Sequence, residues 1–271
     1  MAKKNKTFII AEAGVNHNGK LDLAYKLINK AAEANVDAIK FQTFTAGNLV
    51  IKSASLAKYQ KKNIKINNQY KLLKKLEFTK KMHVKCIERC KAKKIKFLSS
   101  PFSISDIKYL KSLKQNIFKI PSGEITNYPY LEYIGSLNKK IILSTGMSNS
   151  KEISNAINIL LNNGTKKRNI TLLHCNSAYP TPFSDVNLNS ITFLRKKFSL
   201  NVGISDHSPG IEVPICSVAY GVTVIEKHFT LDKKMKGPDH TSSIDYKELK
   251  QMVNSIRNIE NSLGKAQKKI S

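Results

Sequence analysis

The sequence predicts an α/β fold, a single parallel eight-stranded (β/α)8 or TIM barrel, on three observations. Eight short apolar runs alternate with amphipathic stretches from one end of the chain to the other. About 265 residues is the length such a barrel needs. The polar residues of the apolar runs gather at their C-terminal ends, where barrels of this kind build their sites. An open doubly wound sheet is the competitor, but no Gly-rich dinucleotide turn follows the first run.

The strand-like runs are TFIIAEAG (7–14), DAIKFQTF (37–44), IKFLSS (95–100), IFKIPSGE (117–124), KIILSTG (140–146), ITLLHCNS (170–177), LNVGISD (200–206) and TVIEKHF (223–229). Each precedes a stretch of helical periodicity. Between 21 and 33, Leu21, Leu23, Ala24, Leu27, Ile28 and Ala31 form one stripe. In the last stretch Leu249, Met252, Val253, Ile256, Ile259 and Leu263 do the same. Asn149 with Glu152 has the spacing of a capping box opening the helix after the fifth strand. Segment 45–77, rich in Lys and Asn, exceeds an ordinary βα loop and is expected to form an excursion over one barrel end. No shift in composition marks a linker, so residues 1–271 are expected to form one domain.

Composition excludes several classes. No run approaches the ~18 apolar residues of a membrane span, and the N-terminus has no secretory pattern, so a cytoplasmic protein without membrane partners is expected. The four cysteines, Cys86, Cys90, Cys175 and Cys216, fit neither a disulfide framework nor a CxxC zinc site. The net charge of +27 would suit nucleic acid, yet only four of the 46 cations are arginine. Phosphate- and base-reading surfaces favour the guanidinium fork, and no aromatic-interleaved basic patch appears, so nucleic-acid binding is not expected.

The strand ends supply Glu12; Lys40 and Gln42; Ser99 and Ser100; Lys119, Ser122 and Glu124; Ser144 and Thr145; His174, Asn176 and Ser177; Ser205, Asp206 and His207; Glu226 and His228. Two lysines among hydroxyls suit a phosphate. Carboxylates beside two histidines suit a divalent metal or a proton relay. Glu226 and His228, two apart on one strand, both face the interior, while Lys227 between them points outward. His207 ends the neighbouring strand, so a cation between His207 and His228 is geometrically reasonable. His174 and Cys175 face opposite sides, which disfavours a thiolate dyad.

These same residues resemble the sialic acid (nonulosonic acid) synthase family, which includes N-acetylneuraminate, N,N'-diacetyllegionaminate and pseudaminic acid synthases. The matching motifs are IIAEAGVNHNG (9–19), IKFQTF (39–44), FLSSPFS (97–103), FKIPSGEITNYPYL (118–131), ILSTGMS (142–148), LLHCNSAYPTP (172–182), GISDHSPG (203–210) and VIEKHFTLDKKMKGPDH (224–240). The resemblance implies condensation of phosphoenolpyruvate with an open-chain N-acyl amino sugar, N-acetylmannosamine or a 2,4-diacetamido-trideoxyhexose, giving a nine-carbon 2-keto acid and phosphate. It implies His207 and His228 as ligands of Mn2+ or Mg2+, and Glu12 and Glu124 as carboxylates near the reacting centre. It further implies Lys40, Lys119, Ser122, Ser144, Ser177 and Ser205 around phosphoenolpyruvate, and Gln42, Tyr179 and Asp239 around the sugar.

Members of that family continue into a small antifreeze-like domain that covers the partner's site in a homodimer. The sequence ends at Ser271 without one. The expectation is a barrel whose lid comes from a separate polypeptide or whose sugar is less enclosed, and a homodimer is in question for the same reason. Two alternatives stand beside the synthase: a Schiff-base aldolase using Lys40 or Lys119, and a sugar-binding barrel without turnover.

Overall fold

The computed structural model describes residues 6–56, 66 and 68–264. It contains eight parallel strands, β1 (Phe8–Gly14), β2 (Ala38–Thr43), β3 (Lys96–Pro101), β4 (Ile117–Ile120), β5 (Lys140–Ser144), β6 (Ile170–Cys175), β7 (Asn201–Asp206) and β8 (Val224–His228). Helices covering the outside are α1 (Leu21–Glu33), α4 (Lys80–Ala92), α5 (Ile104–Ser112), α6 (Tyr128–Ser136), α7 (Ser150–Asn162), α9 (Asn189–Phe198), α10 (Glu212–Ser217) and α11 (Tyr246–Ser262). Short helices α2 (Ala46–Leu49), α3 (Gln69–Leu76) and α8 (Phe183–Val186) lie in connections. Among the described residues of the expected excursion at 45–77 there are two helices; 57–65 and 67 lie outside the described residues. No helix among the described residues is long and apolar enough to cross a membrane.

The strands pair in the order β3-β2-β1-β8-β7-β6-β5-β4. The circle is completed between β3 and β4, which lie side by side but share no ladder. A side chain substitutes there: Gln115 donates to the Ser99 carbonyl at 2.9 Å and accepts from the Ser99 amide at 3.0 Å. A cavity of about 830 Å³ opens at the foot of this seam, at the end where the strands begin.

Period-2 alternation sorts each strand into two cores. Outward side chains such as Ile9, Ala11, Ile39, Phe118, Ile141, Leu172 and Ile225 meet the helices in the main core. Inward, Ile10, Ala38, Leu98, Ile142, Leu173 and Val224 pack together as an apolar floor inside the barrel. Helix stripes close the outer layer: Ala24, Leu27, Ile28 and Ala31 of α1 are buried, as are Leu249, Met252, Val253 and Ile256 of α11. The expected α11 stripe stops short, because Leu263 lies past the helix end and is exposed. The Asn149–Glu152 capping box is present, and Asp245 with Glu248 forms a second at α11.

Candidate active site

The inward position just above the floor is polar, or a thiol, on every strand. Glu12 follows Ile10, Lys40 follows Ala38, Ser100 follows Leu98, and Lys119 follows Ile117. Likewise Ser144 follows Ile142, Cys175 follows Leu173, Ser205 follows Gly203, and Glu226 follows Val224. All eight line one cavity of about 240 Å³ at the C-terminal rim. An apolar floor beneath charged groups keeps their fields in a low dielectric, where each pairing weighs more than in water.

Two lysines and two carboxylates form its centre. Lys40 Nζ lies 2.7 Å from Glu12 Oε2 and 3.6 Å from Glu226 Oε2, and it donates to Ser100 Oγ at 3.0 Å. Lys119 Nζ lies 3.3 Å from Glu226 Oε1, which also accepts from Ser205 Oγ at 3.0 Å. Gln42 donates to Glu12 Oε1 at 3.2 Å.

This arrangement splits the two carboxyls. Burial pushes Glu12 up, Lys40 opposes it and the Glu226 charge adds to it, leaving the group at about 7. Burial acts the same way on Glu226, but Lys119 and then Lys40 outweigh it and hold that carboxyl low, at about 2. Divergent environments of this kind separate a permanent anion from a group able to exchange protons near neutrality. For Lys40, burial works against the charge, yet Glu12 and Glu226 prevail and raise it. A lysine kept charged is a poor amine nucleophile, which counts against the Schiff-base alternative.

The two histidines sit beside this centre with ring centroids 5.4 Å apart. His207 places Nδ1 2.7 Å from the Asn176 carbonyl oxygen, an acceptor only, so Nδ1 carries the proton and Nε2 keeps its lone pair. Burial, first of several influences, pushes His207 down to about 4 and His228 well below the ordinary range. Both are therefore neutral imidazoles at pH 7, the form that binds metals. His228 Nδ1 is buried without a hydrogen-bond partner. Among the described residues no three His, Cys, Asp or Glu side chains stand together as a metal cluster. A cation here would thus take two protein nitrogens and leave the remaining positions to water or substrate. An orphaned imidazole nitrogen beside a neutral second histidine fits that donor set.

The other expected residues divide. Ser122 and Tyr179 line the same cavity. Gly14 has φ +50°, and a Cβ there would lie 3.3 Å from Glu12, 3.4 Å from Gln42 and 3.6 Å from Asp239, so these three side chains surround one point at the mouth. Burial pushes the Asp239 carboxyl up to about 6. Gly146 (φ +51°) lets the β5 end approach Ser122, whose Cβ a side chain would meet at 2.5 Å. Ser177 Oγ lies 3.4 Å from that same point, and the residue is exposed.

Glu124 is not brought into the cluster. It sits on the 3-10 turn Ser122–Glu124 and accepts from Asn127 at 2.6 Å. Glu226 occupies the centre instead. Ser99 faces outward, in a buried chain where Thr43 Oγ1 lies 2.6 Å from Ser99 Oγ and 2.7 Å from His83 Nε2. Also outward is Lys227, which bonds the Asp206 carboxylate and the Ser208 carbonyl, both at 2.5 Å. The other Asp206 oxygen accepts from Ser208 N and Oγ. This knot brackets His207 from behind.

A parallel barrel carrying lysines, carboxylates and a histidine pair at its C-terminal rim is built as an enzyme for an anionic, oxygen-rich substrate. The sequence profile of the NeuB family matches residues 27–268. The chain belongs to the NeuB family. It is 51% identical over 267 residues to the N,N'-diacetyllegionaminic acid synthase of Campylobacter jejuni, covering 98% of this chain and 80% of that protein. Identity to the Legionella pneumophila enzyme of the same name is 46%, over 97% of this chain and 75% of that one. Among solved structures, the N-acetylneuraminic acid (sialic acid) synthetase of Leptospira borgpetersenii, in complex with citrate, superposes with a TM-score of 0.88. Its identity is 35%, covering 99% of this chain and 88% of that one.

Proposed function

We propose that this protein condenses phosphoenolpyruvate with an open-chain N-acyl amino sugar and water, giving a nine-carbon 2-keto acid and phosphate. The observation carrying this reading is the Lys40–Glu12–Glu226–Lys119 centre beside two neutral histidines, in a chain 51% identical to an N,N'-diacetyllegionaminic acid synthase. That identity favours a 2,4-diacetamido-trideoxyhexose over N-acetylmannosamine as the sugar.

Carbon 3 of phosphoenolpyruvate forms the new bond to the aldehyde carbon, whose oxygen takes a proton to become a hydroxyl. Positive charge then develops at carbon 2, water adds there, and the intermediate expels phosphate to leave the ketone. Lys40 and Lys119, with the hydroxyls of Ser144 on β5 and Ser205 on β7 lining the same cavity, would hold the phosphate and carboxylate. Glu226, kept ionised, faces the developing positive charge. Glu12 has the proton affinity to accept the added water's proton and release it near neutral pH. Bound by His207 and His228, Mn2+ or Mg2+ would supply Lewis-acid polarisation of the aldehyde oxygen. Gln42 and Asp239, at the mouth, are within reach of the sugar.

The test is phosphate release from phosphoenolpyruvate with Mn2+ and each of three sugars, N-acetylmannosamine and two epimeric 2,4-diacetamido-trideoxyhexoses. Release that needs both sugar and metal is expected, with a diacetamido sugar preferred. No release with any of them overturns the proposal. Borohydride trapping with pyruvate is expected to leave Lys40 and Lys119 unmodified.

A further inference from the structure

His207 offers one lone-pair nitrogen, and another residue of this chain already holds it. With Nδ1 donating to Asn176, Nε2 accepts. Two hydroxyls reach it: Tyr179 at 3.0 Å and Ser205 at 3.5 Å. Ser205 has a nearer acceptor in Glu226 Oε1 at 3.0 Å, so the donor to Nε2 is Tyr179. The phenol is held there by more than this bond. Its ring lies over His207, centroids 4.1 Å apart and 30° between planes, and meets His228 at a right angle, centroids 5.6 Å apart and 88° between planes. Tyr179 therefore contacts both histidines.

We propose that Tyr179 is a positioning residue of the metal site, holding the Nε2 lone pair of His207 in reserve until a divalent cation displaces its hydroxyl. The proposal rests on the metal-site reading above. It has two consequences. Each cation that binds breaks a preformed hydrogen bond, so the site binds metal more weakly than two free imidazoles would. The displaced hydroxyl is then left at the cavity as a donor for an arriving oxygen, so the cation precedes the sugar.

The sign of the effect makes the proposal testable. Removing a group that supports a site weakens binding, whereas removing a competitor strengthens it. Tyr179→Phe keeps the ring stacked on His207 and deletes only the competing donor. Isothermal titration of Mn2+ into the metal-free full chain is expected to show about three- to tenfold tighter binding for Tyr179→Phe than for the wild type, the range set by one neutral hydrogen bond. Equal or weaker binding by a variant with unchanged circular dichroism overturns the role of Tyr179. Nitrogen-15 NMR of the metal-free protein is read alongside: the His207 Nε2 resonance is expected to move toward that of a free lone pair in Tyr179→Phe, and an unmoved resonance also overturns it. If the wild type takes up no Mn2+, the metal-site reading fails, and the NMR shift alone decides the tyrosine contact.

Discussion

Replacing Glu226 with Gln is expected to lower the proton affinity of Glu12, to which it is linked through the shared Lys40 ammonium. Both approach Lys40 Nζ, at 2.7 Å and 3.6 Å, so their nearest oxygens stand roughly 6 Å apart or closer. At about 6 Å and an effective dielectric of about 20, two like charges repel by about 2–3 kcal/mol, or up to about two pH units. Glu226→Gln removes that repulsion, and it frees Lys119 from its carboxylate partner, which acts in the same direction. The Glu12 titration is therefore expected to fall from about 7 by one to two units. Carbon-13 NMR titration of glutamate-labelled, metal-free protein measures it directly, with Glu12→Gln assigning the resonance. A Glu12 midpoint that stays near 7, or rises, would falsify the division between a permanent anion and a proton-exchanging group. Turnover is expected to drop along with it, since the charge proposed to face carbon 2 is gone.

Three further outcomes follow from the geometry. His207→Ala and His228→Ala are expected to abolish calorimetric Mn2+ binding while leaving the circular dichroism spectrum intact, since both lie at the rim. Lys227→Met strands the buried Asp206 carboxylate and is expected to cost about 3–5 kcal/mol in urea unfolding, most of it recovered in Lys227→Met/Asp206→Asn. All six histidines are pushed down, by burial first in every case, His17 to about 3 and His83 and His240 to about 4. The unfolded chain then binds more protons than the folded one below pH 6.5, so stability is full above that pH and is lost as pH falls toward 4. Each fully buried histidine contributes on the order of 1 kcal/mol to this loss at pH 5.5, and the raised Glu12 offsets part of it. A urea midpoint that does not drop between pH 7.5 and 5.5 counts against these buried neutral rings.

Much of this site was legible because barrel strands obey a two-residue period. Once the floor residues are known, Glu12, Lys40, Lys119, Ser144, Ser205 and Glu226 follow by counting two. Counting fails where the strand stops. Ile120 ends β4, Pro121 follows, and the 3-10 turn carries Glu124 toward Asn127 instead of Lys119. Glu226, which the alternation aims inward, lines the cavity where Glu124 does not. The histidine pair was visible as two strand ends, yet the Tyr179 contact was not, since Tyr179 reaches His207 from a loop 28 residues away. Nor could periodicity reveal the missing β3–β4 ladder, because apolar strands read alike whether or not their edges are paired.

That unpaired edge changes what kind of object the barrel is. The ladder joining its first three strands to the other five is made by β1 and β8, nearly the whole chain apart, with Phe8 opposite Val224 and Glu12 opposite His228. Strands adjacent in sequence, β3 and β4, are joined by the amide of Gln115 alone among ladder-like bonds. A protease nick at the exposed Lys114, in the turn before β4, therefore cuts no rung. It divides the molecule into three-stranded and five-stranded halves still zipped along β1 and β8, each bringing its own charges to the shared centre. Mechanically the barrel is a strip rolled until its ends meet, and its weakest line runs where the chain itself is continuous.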